Sequence, residues 1–195
     1  MTPRVHLLRH GLAAETDGRC VGRTDAPLAP EGHAAFEGVA ARWPLARPAR
    51  LVASPLRRAR ASAEPLALAW NLPLETDDRL AEIDFGRWEG HAWADIEAGD
   101  GETLRAWMED WTRAPAPGGE AFSDVRARVA AWLDELAAHV RGDVVAVAHA
   151  GTIRAALVHV LGLEAAHAFR LDVHHAALTT LRLSPPGLVY LNRPL

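Results

Sequence analysis

The chain is predicted to be an α/β protein, a three-layer α/β/α sandwich around a mostly parallel central sheet. Three observations predict this. The runs Val5-His6-Leu7-Leu8 and Val144-Val145-Ala146-Val147-Ala148 are almost continuously apolar, the pattern of strands covered on both faces. Stretches with helical spacing alternate with such runs, the order that builds a layered α/β fold. The runs also stop abruptly at polar turns, Arg9-His10-Gly11 after the first and His149-Ala150-Gly151 after the second.

Taken in order, residues 4–9 read as a buried strand and 11–30 as a Gly/Pro/Asp-rich loop long enough to suspect function. A helix is expected over 31–43 and a short strand at Arg50-Leu51-Val52-Ala53. Ser54-Pro55 then opens a helix running to about residue 69, since proline is tolerated in a first turn. Residues 74–98 are mixed, 102–112 look helical, and Pro115, Pro117, Gly118 and Gly119 make a loop. The clearest helix covers 122–141: Phe122, Val125, Val129, Trp132, Leu133, Leu136 and Val140 form one apolar stripe at spacings of three and four. Gly142-Asp143 turns the chain into the second apolar run, a helix follows to about 161, and strands near 169–173, 177–183 and 187–191 complete the order. With 195 residues this is one domain, 1–195, carrying a lid-like insertion at about 84–120.

Composition narrows the function classes. A net charge of −4 with 49% hydrophobic and 24% charged residues describes an ordinary globular protein, with no global field for nucleic acid or an anionic membrane. The absence of a long apolar run or a signal-peptide core points to the cytoplasm and away from the membrane. The single Cys20 excludes an internal disulfide and a zinc ribbon. All 21 basic residues are arginine, which excludes a Walker-type phosphate loop and a lysine Schiff base. Any anion here meets planar guanidinium forks.

The polar turns supply the chemistry. Arg9-His10-Gly11, Ser54-Pro55-Leu56-Arg57, Glu82 ahead of Asp84-Phe85-Gly86, and His149-Ala150-Gly151 share one grammar, a strand followed by an abrupt turn. If these ends meet, two histidines, two arginines and a carboxylate converge where open α/β sheets bind ligands. An arginine beside His10 disfavours the imidazolium and keeps a ring nitrogen free to attack phosphorus. The arginine pair would neutralise phosphate oxygens, His149 at a helix N-terminus could donate to them, and Glu82 could protonate the leaving alkoxide and later activate water.

In their order, Leu7-Leu8-Arg9-His10-Gly11, Ser54-Pro55-Leu56-Arg57-Arg58-Ala59, Leu80-Ala81-Glu82-Ile83-Asp84-Phe85-Gly86 and Val147-Ala148-His149-Ala150-Gly151 resemble the histidine phosphatase superfamily, the phosphoglycerate mutase-like or "RHG" family. The resemblance implies that fold and a metal-independent phosphomonoesterase with no cofactor. It implies His10 as nucleophile, Glu82 as proton donor, and Arg9, Arg57 and His149 as the rest of the phosphate pocket. The segments Cys20-Val21-Gly22-Arg23-Thr24-Asp25-Ala26-Pro27-Leu28, Phe85-Gly86-Arg87-Trp88-Glu89-Gly90, Trp107-Met108-Glu109-Asp110-Trp111 and Pro117-Gly118-Gly119-Glu120-Ala121-Phe122 ahead of Arg128-Val129 look like the α-ribazole phosphatase branch. That branch removes the 5′-phosphate of α-ribazole phosphate or its cobamide form in late cobalamin synthesis, and shares these segments in part with broad-specificity and fructose-2,6-bisphosphatase-like relatives. Many members continue after Arg-His-Gly with Glu or Gln, then Ser or Thr, and an Asn. Here the chain reads Leu12-Ala13-Ala14-Glu15-Thr16-Asp17, and Thr16 is expected near the Asn position.

Other readings stand beside these. Arg23 is expected to supply a further anion contact, while Arg58 and Arg60 face solvent or pair with acids. His174-His175 suggests a metal site only until the alternation of strand side chains is considered. His6 and His33 show no evident partners. Trp88, Trp93, Trp107 and Trp111 either pack or form an aromatic wall for a flat substrate. The rival functions are a broad-specificity or sugar-phosphate phosphatase, a phosphoglycerate mutase, for which 195 residues is short, and a non-catalytic phosphate-binding module. The expected partner is a small phosphomonoester, and a homodimer is allowed for.

Overall fold

In the computed structural model, which describes residues 4–195, six strands form one sheet in the order β3-β2-β4-β1-β5-β6. These are β1 (Arg4–Arg9), β2 (Arg50–Ala53), β3 (Leu74–Thr76), β4 (Val144–Ala148), β5 (Leu178–Leu183) and β6 (Pro186–Arg193). The pairs β1/β4, β4/β2 and β2/β3 are parallel, and β5 and β6 join antiparallel at the β1 edge. The predicted three-layer α/β architecture is observed.

Strand period explains the layers. Side chains alternate between faces, so Val5, Leu7, Val144, Ala146 and Ala148 pack beneath α4 (Phe122–His139) and α5 (Ala150–Leu161). Leu8, Leu51, Ala53, Val145 and Val147 pack on the other face, against Phe36 of α1 (Pro30–Phe36) and Ala59, Ala63, Leu66 and Trp70 of α2 (Arg57–Trp70). The α4 stripe is buried as expected from Phe122 to Leu136. His6 is fully buried and has partners after all, Thr180 Oγ1 at 2.9 Å and Asp143 Oδ2 at 3.3 Å.

Three elements depart from expectation. The helix expected over 31–43 ends at Phe36, where Gly38 takes φ +71° and turns follow. The helix expected at 102–112 is longer, α3 (Trp93–Asp110), bent at Asp100. Residues 169–173 do not make a strand. A 3₁₀ helix occupies Ala165–Arg170, and the carbonyls of Leu171 and Val173 accept from arginine side chains instead of from a strand. Beneath α3, a satellite core of Cys20, Trp88, Ile96, Leu104 and Ala116 ties it to the loop after β1. Among the described residues no helix is long and apolar enough to cross a membrane.

Candidate active site

Parallel register builds the site. Arg9 lies opposite Ala148 and Ala53 opposite Val147, so β1, β2 and β4 end at one edge of the sheet. The next residue of each strand is therefore His10, Ser54 or His149. The ladder reaches one step further through His10 N–H to Ala148 O (3.0 Å) and Ser54 N–H to Val147 O (2.9 Å). The His10 and His149 rings stand 4.9 Å apart.

Hydrogen bonding assigns the tautomers. His10 Nδ1 lies 2.6 Å from the Gly11 carbonyl, an acceptor only, so Nδ1 carries the proton and Nε2 keeps its lone pair. Arg58 Nε donates to that Nε2 at 3.2 Å. The Gly11 turn is held by its N–H donating to Ser62 Oγ (3.0 Å). It also needs glycine, because a Cβ there would collide with the Gly32 backbone. Ser54 Oγ accepts from Leu56 N–H at 3.3 Å and lies 2.7 Å from His149 Nε2. Its proton is thus free to go to Nε2, which leaves His149 protonated on Nδ1. That Nδ1 is buried and has no protein partner.

Both rings are held neutral. Burial, then the charge of Arg58, push the His10 imidazole well below its ordinary value, with His175 and Arg9 adding to it against the Gly11 hydrogen bond. His149 is lowered well below its ordinary value by burial and by His10, Arg58, Arg128 and Arg9.

Glu82, 9% exposed, is fixed by two backbone donors. Oε1 accepts from Ile83 N–H and Oε2 from Gly151 N–H, each at 3.0 Å. Gly151 is in the first turn of α5, and a Cβ there would collide with the carboxylate. Arg128 clamps the backbone behind it, donating to the carbonyls of Arg79 (2.8 Å), Ala81 (2.7 Å) and Glu82 (3.1 Å) while pairing with Glu120. Arg9 Nη1 donates to Val173 O at 2.7 Å, and its buried Nε is unpartnered. Together Arg9, His10, Ala13, Thr16, Arg19, Val21, Arg58, Glu82, Ala150 and His175 enclose a cleft of about 200 Å³.

A family model, the histidine phosphatase superfamily (branch 1), matches residues 5–192. The chain belongs to that superfamily. It is 35% identical over 188 residues to a bifunctional protein of Mycobacterium tuberculosis, a match covering 94% of this chain and 51% of the relative. The chain thus spans about half the length of the first curated relatives it matches. It is 36% identical to the glucosyl-3-phosphoglycerate phosphatase of Mycobacterium tuberculosis, over 84% of this chain and 78% of that one. The α-ribazole phosphatase of Shigella flexneri superposes with a TM-score of 0.89 at 24% identity, over 98% and 96% of the two chains. That likeness is one of fold.

Within this superfamily fold, five of the seven expected site residues meet in the cleft or its wall: Arg9, His10, Thr16, Glu82 and His149. Arg57 does not. It is exposed, with its backbone N–H on Asp25 Oδ1 at 2.7 Å. Arg58 takes the place assigned to it, 2% exposed, with Nη1 on Thr24 O (2.7 Å) and Nη2 on Gly22 O (2.6 Å). The helical phase carried this signal. The buried positions of α2 are Arg58, Ala59, Ser62, Ala63, Leu66 and Trp70, one stripe that excludes 57. Arg23 is likewise committed elsewhere, to Glu120 (3.0 Å) and Asp84 (3.8 Å). Of the histidine pair 174–175, His174 is exposed and His175 lines the cleft, donating from Nδ1 to His10 O at 2.8 Å. Trp88 is packed, whereas Phe85, Trp93, Trp107, Met108 and Phe169 line an apolar cleft of about 520 Å³.

Proposed function

We propose that the protein is a phosphomonoesterase working through a phosphohistidine on His10. The observation that carries this is the His10 tautomer. A neutral ring whose Nδ1–H donates to the Gly11 carbonyl presents an Nε2 lone pair among guanidiniums that can hold a phosphate. In the first step Nε2 attacks phosphorus, the P–O ester bond breaks, and Glu82 gives its proton to the leaving alkoxide. In the second, the Glu82 carboxylate takes a proton from water as its oxygen attacks phosphorus. The P–N bond breaks, and inorganic phosphate and neutral His10 result. Arg9, Arg58 and the His149 Nδ1–H bind the non-bridging oxygens, a task in which pre-positioned donors stabilise developing charge.

The protein acts in this reading on a small phosphomonoester in the cytoplasm, without metal or cofactor. The substrate suggested by the narrower motif likeness is α-ribazole 5′-phosphate, in cobalamin synthesis. The apolar cleft next to the Glu82 segment supports it as a seat for a flat ring. The test is phosphate release from p-nitrophenyl phosphate in EDTA, with acid-labile, alkali-stable label trapped on the protein from a ³²P-substrate. Turnover and label in the wild type and their loss in His10→Asn are expected. A labelled, active His10→Asn protein overturns the reading.

A further inference from the structure

We infer that Glu89 is a positioning residue of the phosphatase site: it anchors the Gly22–Thr24 turn on one side so that the turn's carbonyls hold Arg58 against His10 on the other. The inference rests on the phosphatase reading and adds a residue to its machinery.

Two distant segments are first brought together. Trp88, at the end of the short 3₁₀ turn Gly86–Trp88, is buried in the satellite core beside Cys20. Backbone bonds from Cys20 N–H to His91 O (2.9 Å) and from Gly90 N–H to Cys20 O (2.8 Å) tie the two stretches to each other. This sets Glu89 against the residues that follow Cys20. Gly22 has no room for a side chain there, since a Cβ would meet Ile83 O and Glu89 Oε1.

The half-buried carboxylate then collects every N–H of the turn. Its Oε2 accepts from Gly22 N–H (3.2 Å), Thr24 N–H (2.8 Å) and the Thr24 hydroxyl. Its Oε1 accepts from Arg23 N–H (2.7 Å) and from Phe85 N–H (3.0 Å). Successive amides converging on one point make an anion site, and here the chain's own carboxylate fills it. Burial works against charge on Glu89, but hydrogen bonds from Thr24, Phe85 and Arg23 hold its carboxyl below the ordinary value.

The other side of the same backbone faces Arg58. Gly22 O accepts from Nη2 (2.6 Å) and Thr24 O from Nη1 (2.7 Å), while Nε reaches His10 Nε2 (3.2 Å). Gly22 O and Arg23 N–H are the two ends of one planar peptide group. A negative charge at its N–H end and a positive charge at its C=O end polarise it in the same sense, so each hydrogen bond strengthens the other. Among the described residues Arg58 makes no direct ion pair, and this peptide carries the attraction of Glu89 to it. Burial lowers the proton affinity of Arg58, and the charges of Glu82, Glu89 and Asp25 oppose that. Glu89 itself does not line the cleft. It acts through the groups it holds.

The experiment is a double-mutant comparison with p-nitrophenyl phosphate, an ester that asks little of Glu82. Glu89→Gln keeps the size of the side chain but puts an N–H donor among N–H donors. It should lower kcat/KM by about 10- to 100-fold in the wild type, the scale of charge-assisted hydrogen bonds. In an Arg58→Ala background the same change should cost less than about twofold. Nuclear magnetic resonance reads the contact without substrate: the ¹⁵N–¹⁵N coupling across the Arg58 Nε–H···Nε2 His10 bond should be present in the wild type and absent in Glu89→Gln. Should the circular-dichroism melt show that Glu89→Gln does not fold, Thr24→Val removes a single donor from Glu89. Its loss should be about threefold in the wild type and none in Arg58→Ala. Equal losses in the two backgrounds, a coupling that survives in Glu89→Gln, or one missing from the wild type overturns the inference. An inactive wild type rejects the phosphatase reading itself, and the coupling then still decides whether Glu89 places Arg58.

Discussion

Arg58 Nε donates to His10 Nε2 across 3.2 Å, and the same guanidinium is pinned by the carbonyls of Gly22 and Thr24. One side chain therefore joins the loop after β1 to the nitrogen proposed to attack phosphorus. It helps to keep the His10 ring neutral and, in the proposed mechanism, supplies an anion donor beside it. Arg58→Ala should lower kcat/KM for p-nitrophenyl phosphate by about 10²- to 10³-fold. Arg57→Ala, whose side chain is exposed, should stay within about threefold. The reverse ranking would return the phosphate contact to Arg57.

Ser54 sets the His149 tautomer through its hydroxyl. Ser54→Ala leaves a buried imidazole nitrogen unpaired, free to put the proton on the wrong side. We expect a fall of about tenfold in kcat with little change in KM, and a ¹⁵N imidazole spectrum showing His149 shifted from its single Nδ1–H form. An unchanged spectrum would leave Ser54 a packing residue.

Glu82→Gln should slow alkyl phosphates far more than p-nitrophenyl phosphate, whose leaving group needs little protonation. Arg128 holds the backbone around Glu82 through three carbonyls without lining the cleft. Arg128→Met should reproduce the same leaving-group bias more weakly, by about 10-fold on alkyl esters. A uniform loss on both ester types would show that Arg128 supports the fold and not the acid.

Acid should act on rate and on stability. His10 must be neutral to attack, and its proton affinity is pushed well below the ordinary value, so the acid limb of kcat/KM should lie well below about pH 6.5. Arg58→Ala removes the largest charge behind that shift and should move the limb upward. For stability, His6, His10, His149 and His175 are all lowered in the fold. Below about pH 6.5 the unfolded chain binds the extra protons. Unfolding free energy should therefore be fully retained above that pH and drop as pH falls, by up to about 1.4 kcal/mol per pH unit for each such histidine. The drop levels off once the folded-state values are passed. Urea titrations at pH 7.5 and 5.5 measure it, and equal midpoints would contradict neutral burial.

Much of this was legible because it is local. The apolar run of β4, the α4 stripe and the strand-end turns each sit within a few residues, and period 2 or 3.6 reads them directly. What escaped depends on partners far along the chain. Arg23 looked free until Glu120, 97 positions away, was folded against it. His175 reaches the His10 carbonyl across 165 positions. The Arg57/Arg58 exchange was a matter of phase, since one residue on a helix turns a side chain by about 100°. The strand expected at 169–173 failed because arginine side chains claim its carbonyls.

Strand order also has a consequence for biosynthesis. β4 lies between β1 and β2 in the sheet, although both precede it in the chain. A nascent polypeptide that has not yet emitted β4 has a gap where the two earlier strands should be bridged, and His10 has no neighbour on that side. The cleft is complete only once β4 has been inserted between its neighbours and Ala150 and His175 have followed it in the chain.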